Sequence, residues 1–101
     1  MTVGLNANQQ LIIDLIEDIP DFPKPGVVFK DITPLMASPA GFRASIAELV
    51  ALAPERIDVV VGMEARGFIL AAPVALELGA GFVPVRKPGK LPGQLYSEQF
   101  A

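Results

Sequence analysis

The chain has 101 residues, room for one small domain, and its 51% apolar and 19% charged residues exclude a disordered or fibrous class. It contains no cysteine and no histidine, which removes disulfide frameworks, thiolate and imidazole metal sites, and every histidine-based triad or general base. The net charge of −3 is uneven, four basic against eight acidic residues over 1–58 and four against three over 59–101, which argues against a general nucleic-acid binder and suits a small anionic ligand near the C-terminus.

The opening MTVGLNANQQ lacks the basic-then-apolar pattern of a signal peptide, so a cytoplasmic protein is expected. Leu11, Ile12, Leu15, Ile16 and Ile19 then recur at helical spacing, with Asp14, Glu17 and Asp18 on the other side. They predict a first helix, capped by Asn6 or Asn8 and ended by Pro20. Pro23, Pro25 and Gly26 force an extended, turning path through DFPKPGVVFKDITPL, where only residues 27–29 suit a short strand.

Ser38 and Pro39 form a strong helix start, N-cap followed by proline at the first helical position. Phe42, Ile46, Leu49 and Val50 mark the apolar face of this second helix, and Pro54 stops it. Residues 57–61 are a short β-branched run without alternation, the pattern of a strand buried on both faces. Residues 67–78 suit a third helix, closed by Gly79 and kinked or delayed by Pro73. Its uncharged stretch, residues 67–76, is too short to span a bilayer. Residues 81–85 are a second buried strand.

Strand, helix and strand within about thirty residues make a βαβ unit, hence a parallel sheet. Ligands of such sheets bind in the loops beyond the carboxyl ends of the strands. Here these loops are residues 62–67, with Glu64 and Arg66, and residues 86–90, with Arg86, Lys87 and Lys90. Four of the eight basic residues thus meet at one sheet edge, facing the free N–H groups of a helix start. Arg66 offers a bidentate fork to phosphate, and Lys87 and Lys90 offer mobile point charges. A Glu64–Arg66 surface pair beside a solvated RKPGK turn is the plainer alternative. Two such loops after consecutive strands favour the anion site.

ARGF after a VVVG strand, VPVRKPGKLPG after the next, and DFPKPGVVFKDITPL upstream together resemble the adenine phosphoribosyltransferase family of type I phosphoribosyltransferases. The three segments stand in the family's order, and the resemblance runs from Ile16 to Gly93. It implies an α/β fold, a parallel sheet with flanking helices, of which this chain holds the N-terminal part. Residues 1–34 would form the N-terminal helix and base-binding hood, and residues 35–101 the first part of the core, ending in a flexible loop at residues 94–101.

The implied reaction joins adenine to phosphoribosyl pyrophosphate, giving AMP and pyrophosphate in purine salvage, with Mg²⁺ accompanying the phosphoribosyl substrate. Val28, Phe29 and Lys30 match the hood, where the ring stacks on adenine and neighbouring main-chain groups read its edge. Many relatives carry arginine where Lys30 stands. Glu64, Ala65 and Arg66 match the pyrophosphate loop, and a cis peptide is expected at Glu64–Ala65. Arg86, Lys87 and Lys90 match basic positions that meet pyrophosphate or the neighbouring subunit of a homodimer. The implied chemistry is loss of pyrophosphate through an oxocarbenium-like transition state. Positioning and charge neutralisation then carry most of the task, which a protein without histidine can perform.

The family's ribose 5-phosphate motif, two adjacent acids after a strand followed by a Gly/Thr turn, has no counterpart here, since Glu17 and Asp18 are read as a helix end. The chain alone is therefore expected to be inactive, and no catalytic acid or base is assigned. Two other functions fit the same scaffold, an inactive nucleotide-binding regulator and a transferase for another purine such as xanthine.

Overall fold

The structure is a computed structural model that describes residues 4–90, 92 and 93. The chain divides into two compact units, residues 1–55 and 56–101. The closing loop expected at residues 94–101 lies outside the described residues.

In the first unit, α1 (Ala7–Leu15) starts with a capping box: the Asn6 side chain accepts from the Gln9 N–H at 2.7 Å, and the Gln9 side chain accepts from the Asn6 N–H at 3.0 Å. The helix ends four residues earlier than the apolar spacing suggests. Ile16 is already extended, and β1 (Glu17–Pro20) pairs antiparallel with β2 (Val28–Asp31). A proline disfavours helix in the residue before it, here Ile19, and β2 supplies the partner that makes a strand the better alternative. Glu17 and Asp18 therefore belong to a strand and not to a helix end. Across the ladder Asp18 faces Lys30, and their side chains pair at 2.6 Å. In the connecting turn Asp21 has φ 56°, its carboxylate accepts from the Gly26 N–H at 3.0 Å, and the Phe22–Pro23 peptide is cis.

The segment after β2 is not wholly irregular. Asp31 accepts from both the N–H and the hydroxyl of Thr33, at 2.9 and 2.6 Å, and starts the short α2 (Thr33–Ala37). Ser38 then caps α3 (Pro39–Leu52) by accepting from the Gly41 N–H at 3.0 Å, as its sequence indicates. The buried line of α3 runs through Gly41, Ala44, Ser45 and Ile46, while Leu49 is exposed. The expected apolar face is thus shifted, because Leu15 and Leu35 pack where Gly41 offers no side chain.

The second unit is the βαβ motif: β3 (Val59–Met63), α4 (Arg66–Leu78) and β4 (Gly81–Val85), with β3 and β4 parallel. The strands form a sheet separate from β1–β2, so the short strand near residue 28 does not extend the parallel sheet. Helix α4 runs through Pro73; the carbonyl deprived of its partner is that of Ile69, an exposed residue. Gly79, left-handed at φ 66°, closes the helix. One sheet face is packed by α4 through Gly62, Phe82 and Ala71. On the other, Val59, Val61, Met63, Val83 and Val85 are 43% to 57% exposed. Within this unit the strands expected to be buried on both faces are therefore covered on one, the face that α4 packs.

Candidate anion site at the strand ends

Met63 and Val85 are register partners, so the chain leaving β3 and the chain leaving β4 emerge side by side. The Glu64 N–H donates to the Val85 carbonyl at 3.3 Å, extending the ladder by one bond. The Glu64–Ala65 peptide is cis, as expected, and Arg66 opens α4 directly after it.

The Glu64 side chain reaches across to the second loop. One carboxylate oxygen, Oε1, accepts from the Lys87 backbone N–H at 2.8 Å. The other, Oε2, accepts from Nε and Nη2 of Arg86 at 3.3 and 3.2 Å. The Lys87 N–H, together with the Arg86 hydrogen bond and the charges of Arg86 and Lys87, outweighs partial burial and holds the Glu64 carboxyl below its ordinary range. Arg86 also lies over the ring of Phe68, 5.5 Å from its centroid, and Phe68 meets Phe82 edge-on at 6.1 Å. Beyond them the Lys90 N–H donates to the Lys87 carbonyl at 3.3 Å and closes a turn.

Helix α4, like α2, starts without a side-chain cap. Asn6 and Ser38 cap α1 and α3, whereas Ala65 supplies no side-chain acceptor and the first turn of α4 holds no acid. The positive end of the α4 dipole and the Arg66 side chain therefore lie together at the strand ends, and the Phe68 N–H donates to the Ala65 carbonyl at 3.2 Å.

The predicted pyrophosphate residues Glu64, Ala65, Arg66, Arg86, Lys87 and Lys90 all fall in this unit, on its two strand-end loops. Val28, Phe29 and Lys30 belong to the first unit, on β2, where Val28 is exposed and Phe29 meets Phe22 edge-on at 5.2 Å. Sequence reasoning missed Phe68 and Phe22 as supports for Arg86 and Phe29. An aromatic residue two positions after Arg66 was the available signal for the first. The second depended on a hairpin that the helical spacing concealed.

A parallel βαβ unit with basic strand-end loops, carried in one chain with an aromatic hairpin, has the build of a phosphoribosyltransferase. Solved structures agree: the adenine phosphoribosyltransferase of Thermoanaerobacter pseudethanolicus superposes with TM-score 0.82 at 49% identity, over 90% of this chain and 55% of that one. That of Saccharomyces cerevisiae, solved with an imino-altritol bisphosphate and adenine, gives TM-score 0.78 at 36% identity, over 91% of this chain and 57% of that one. The adenine phosphoribosyltransferase of Cutibacterium acnes is 67% identical over 96 residues, 95% of this chain and 54% of the relative. No protein-family model matches the chain. Over nearly its whole length the chain is similar to adenine phosphoribosyltransferases, and it spans about half the length of the curated relatives it matches.

Proposed function

We propose that the chain supplies the pyrophosphate-binding loops and base-binding hood of an adenine phosphoribosyltransferase, which converts adenine and phosphoribosyl pyrophosphate to AMP and pyrophosphate. The observation that carries this reading is the meeting of the two basic loops at the uncapped start of α4. Arg66, Arg86, Lys87 and Lys90 would offset the charge that grows on departing pyrophosphate, with the main chain of Glu64 and Ala65 lining the loop. Val28, Phe29 and Lys30 would take the base, Phe29 by stacking and its neighbours by main-chain hydrogen bonds.

Mg²⁺ enters this reading as the companion of phosphoribosyl pyrophosphate. Among the described residues no group of three or more acidic or other metal-binding side chains gathers, and both oxygens of Glu64 are engaged by donors. These residues do not fit a metal held by the protein. Glu17 and Asp18 lie within β1 and lead into Ile19 and Pro20, so they form no ribose 5-phosphate turn. On this reading the chain binds pyrophosphate but forms no AMP until the remaining half of the enzyme is present, and the complete protein is a cytoplasmic homodimer. Among the described residues no helix is long and apolar enough to cross a membrane.

Calorimetric titration with inorganic pyrophosphate and an AMP-formation assay, each on the chain alone and on its longer form, test the proposal. Saturable pyrophosphate binding, with turnover only in the longer form, is expected. No binding by either form would overturn it, and binding without turnover in the longer form would point to a nucleotide-responsive regulator.

A further inference from the structure

An acidic side chain in a loop that receives an anion presents a contradiction, because like charges repel. The geometry resolves it. Glu64 is 16% exposed and Arg86 35%, and each Glu64 oxygen is directed at a donor of the other loop. Its charge is matched by Arg86.

The shortest of these bonds is the one to the backbone. Lys87 is held at both ends of its peptide frame: its N–H donates to Glu64 at 2.8 Å, and its carbonyl accepts from the Lys90 N–H at 3.3 Å. Fixing the Lys87 N–H therefore fixes the near end of the turn that carries Lys90 at its far end. Arg86, between Glu64 and the Phe68 ring, ties the same loop to the first turn of α4.

We propose that Glu64 is a positioning residue, whose side chain clips the basic loop after β4 to the loop that opens α4 and so sets where Lys87 and Lys90 present their charge. Its consequence for affinity rests on the pyrophosphate reading above, whereas the clip itself does not. A glutamate length is needed, since aspartate is one methylene shorter and stops short of the Lys87 N–H. Glutamine keeps the acceptor for that N–H while removing the charge.

The test measures amide hydrogen exchange at Lys87 and Lys90 and calorimetric binding of inorganic pyrophosphate, in the wild-type chain, Glu64→Gln and Glu64→Ala. Exchange at Lys87 should be slow in wild type and Glu64→Gln and about tenfold faster or more in Glu64→Ala. Glu64→Gln should bind pyrophosphate at least as tightly as wild type, and Glu64→Ala about tenfold more weakly. If Glu64 were only a repelling neighbour, both variants would bind more tightly, which overturns the proposal. Equal Lys87 exchange in wild type and Glu64→Ala also overturns it. A wild-type chain that ignores pyrophosphate, yet whose Lys87 exchange depends on Glu64, supports the clip and sinks the pyrophosphate reading. Should Glu64→Ala fail to fold, Glu64→Asp makes the same comparison.

Discussion

A Cβ placed on Gly62 would stand 2.9 Å from the Cβ of Ala71, so β3 and α4 touch where only glycine fits. The same atom would come within 2.8 Å of the Phe82 ring and 3.0 Å of the Gly67 carbonyl. The carbonyl is backbone and cannot swing aside. Gly62→Ala should therefore destabilise the chain by about 1–3 kcal/mol, the usual cost of overpacking. Urea unfolding should show a lower midpoint with an unchanged slope.

Ser38→Ala tests the cap of α3. The serine oxygen accepts from the half-shielded Gly41 N–H at 3.0 Å, and losing such a cap costs about 1 kcal/mol. Ser38→Asn, which can accept the same bond, should restore most of the loss in the same unfolding measurement. A midpoint that ignores both changes would mean the cap contributes nothing.

Base binding should separate Phe29 from its neighbours on the hairpin. Loss of a stacking ring costs about 1–3 kcal/mol, so Phe29→Ala should weaken adenine binding at least about fivefold. Asp18→Asn removes a pair whose partners are both well exposed, a contact worth at most about 1 kcal/mol. Its adenine affinity should stay within about twofold of wild type. Equal losses in both variants would show that the hairpin's stability, and not the ring, is being read.

The Glu64 clip has a pH signature with a definite sign. Its carboxyl is held below the ordinary glutamate value chiefly by the Lys87 N–H, with Arg86 and the Lys87 charge assisting. A group whose native value is depressed stabilises the fold fully above its unfolded value, about 4.3 for glutamate, and loses that contribution as pH falls through the native value. The stability difference between wild type and Glu64→Gln should thus be constant near neutrality and change only below about pH 5. A difference that stays flat down to about pH 3 would show that the ionised carboxylate contributes nothing to the fold.

What could be read from the residues followed the range of the forces involved. The cap at Ser38, the stop at Gly79 and the strand at residues 81–85 are local, written in neighbouring side chains, and the structure has each of them. Strand β1 was hidden because Ile16 and Ile19 continue a helical spacing, and only pairing with Val28–Asp31 overrides it. Short α2 rests on Asp31 folding back onto Thr33, a weak signal amid prolines. At the candidate site the positions were legible from the two strand-end loops. The partnership of Glu64 with residues 22 and 23 positions away was not, since it depends on the register of β3 against β4.

The placement of Arg86 between a carboxylate and an aromatic face also bears on when its freedom is lost. A free arginine side chain carries about 2 kcal/mol of rotamer entropy, which a ligand would ordinarily have to remove on arrival. Here much of that ordering is done when the chain folds. The guanidinium is thus held in place before any ligand arrives, directed at Glu64 and laid over Phe68. Any ordering of this side chain is therefore part of the cost of folding and not of a later binding step.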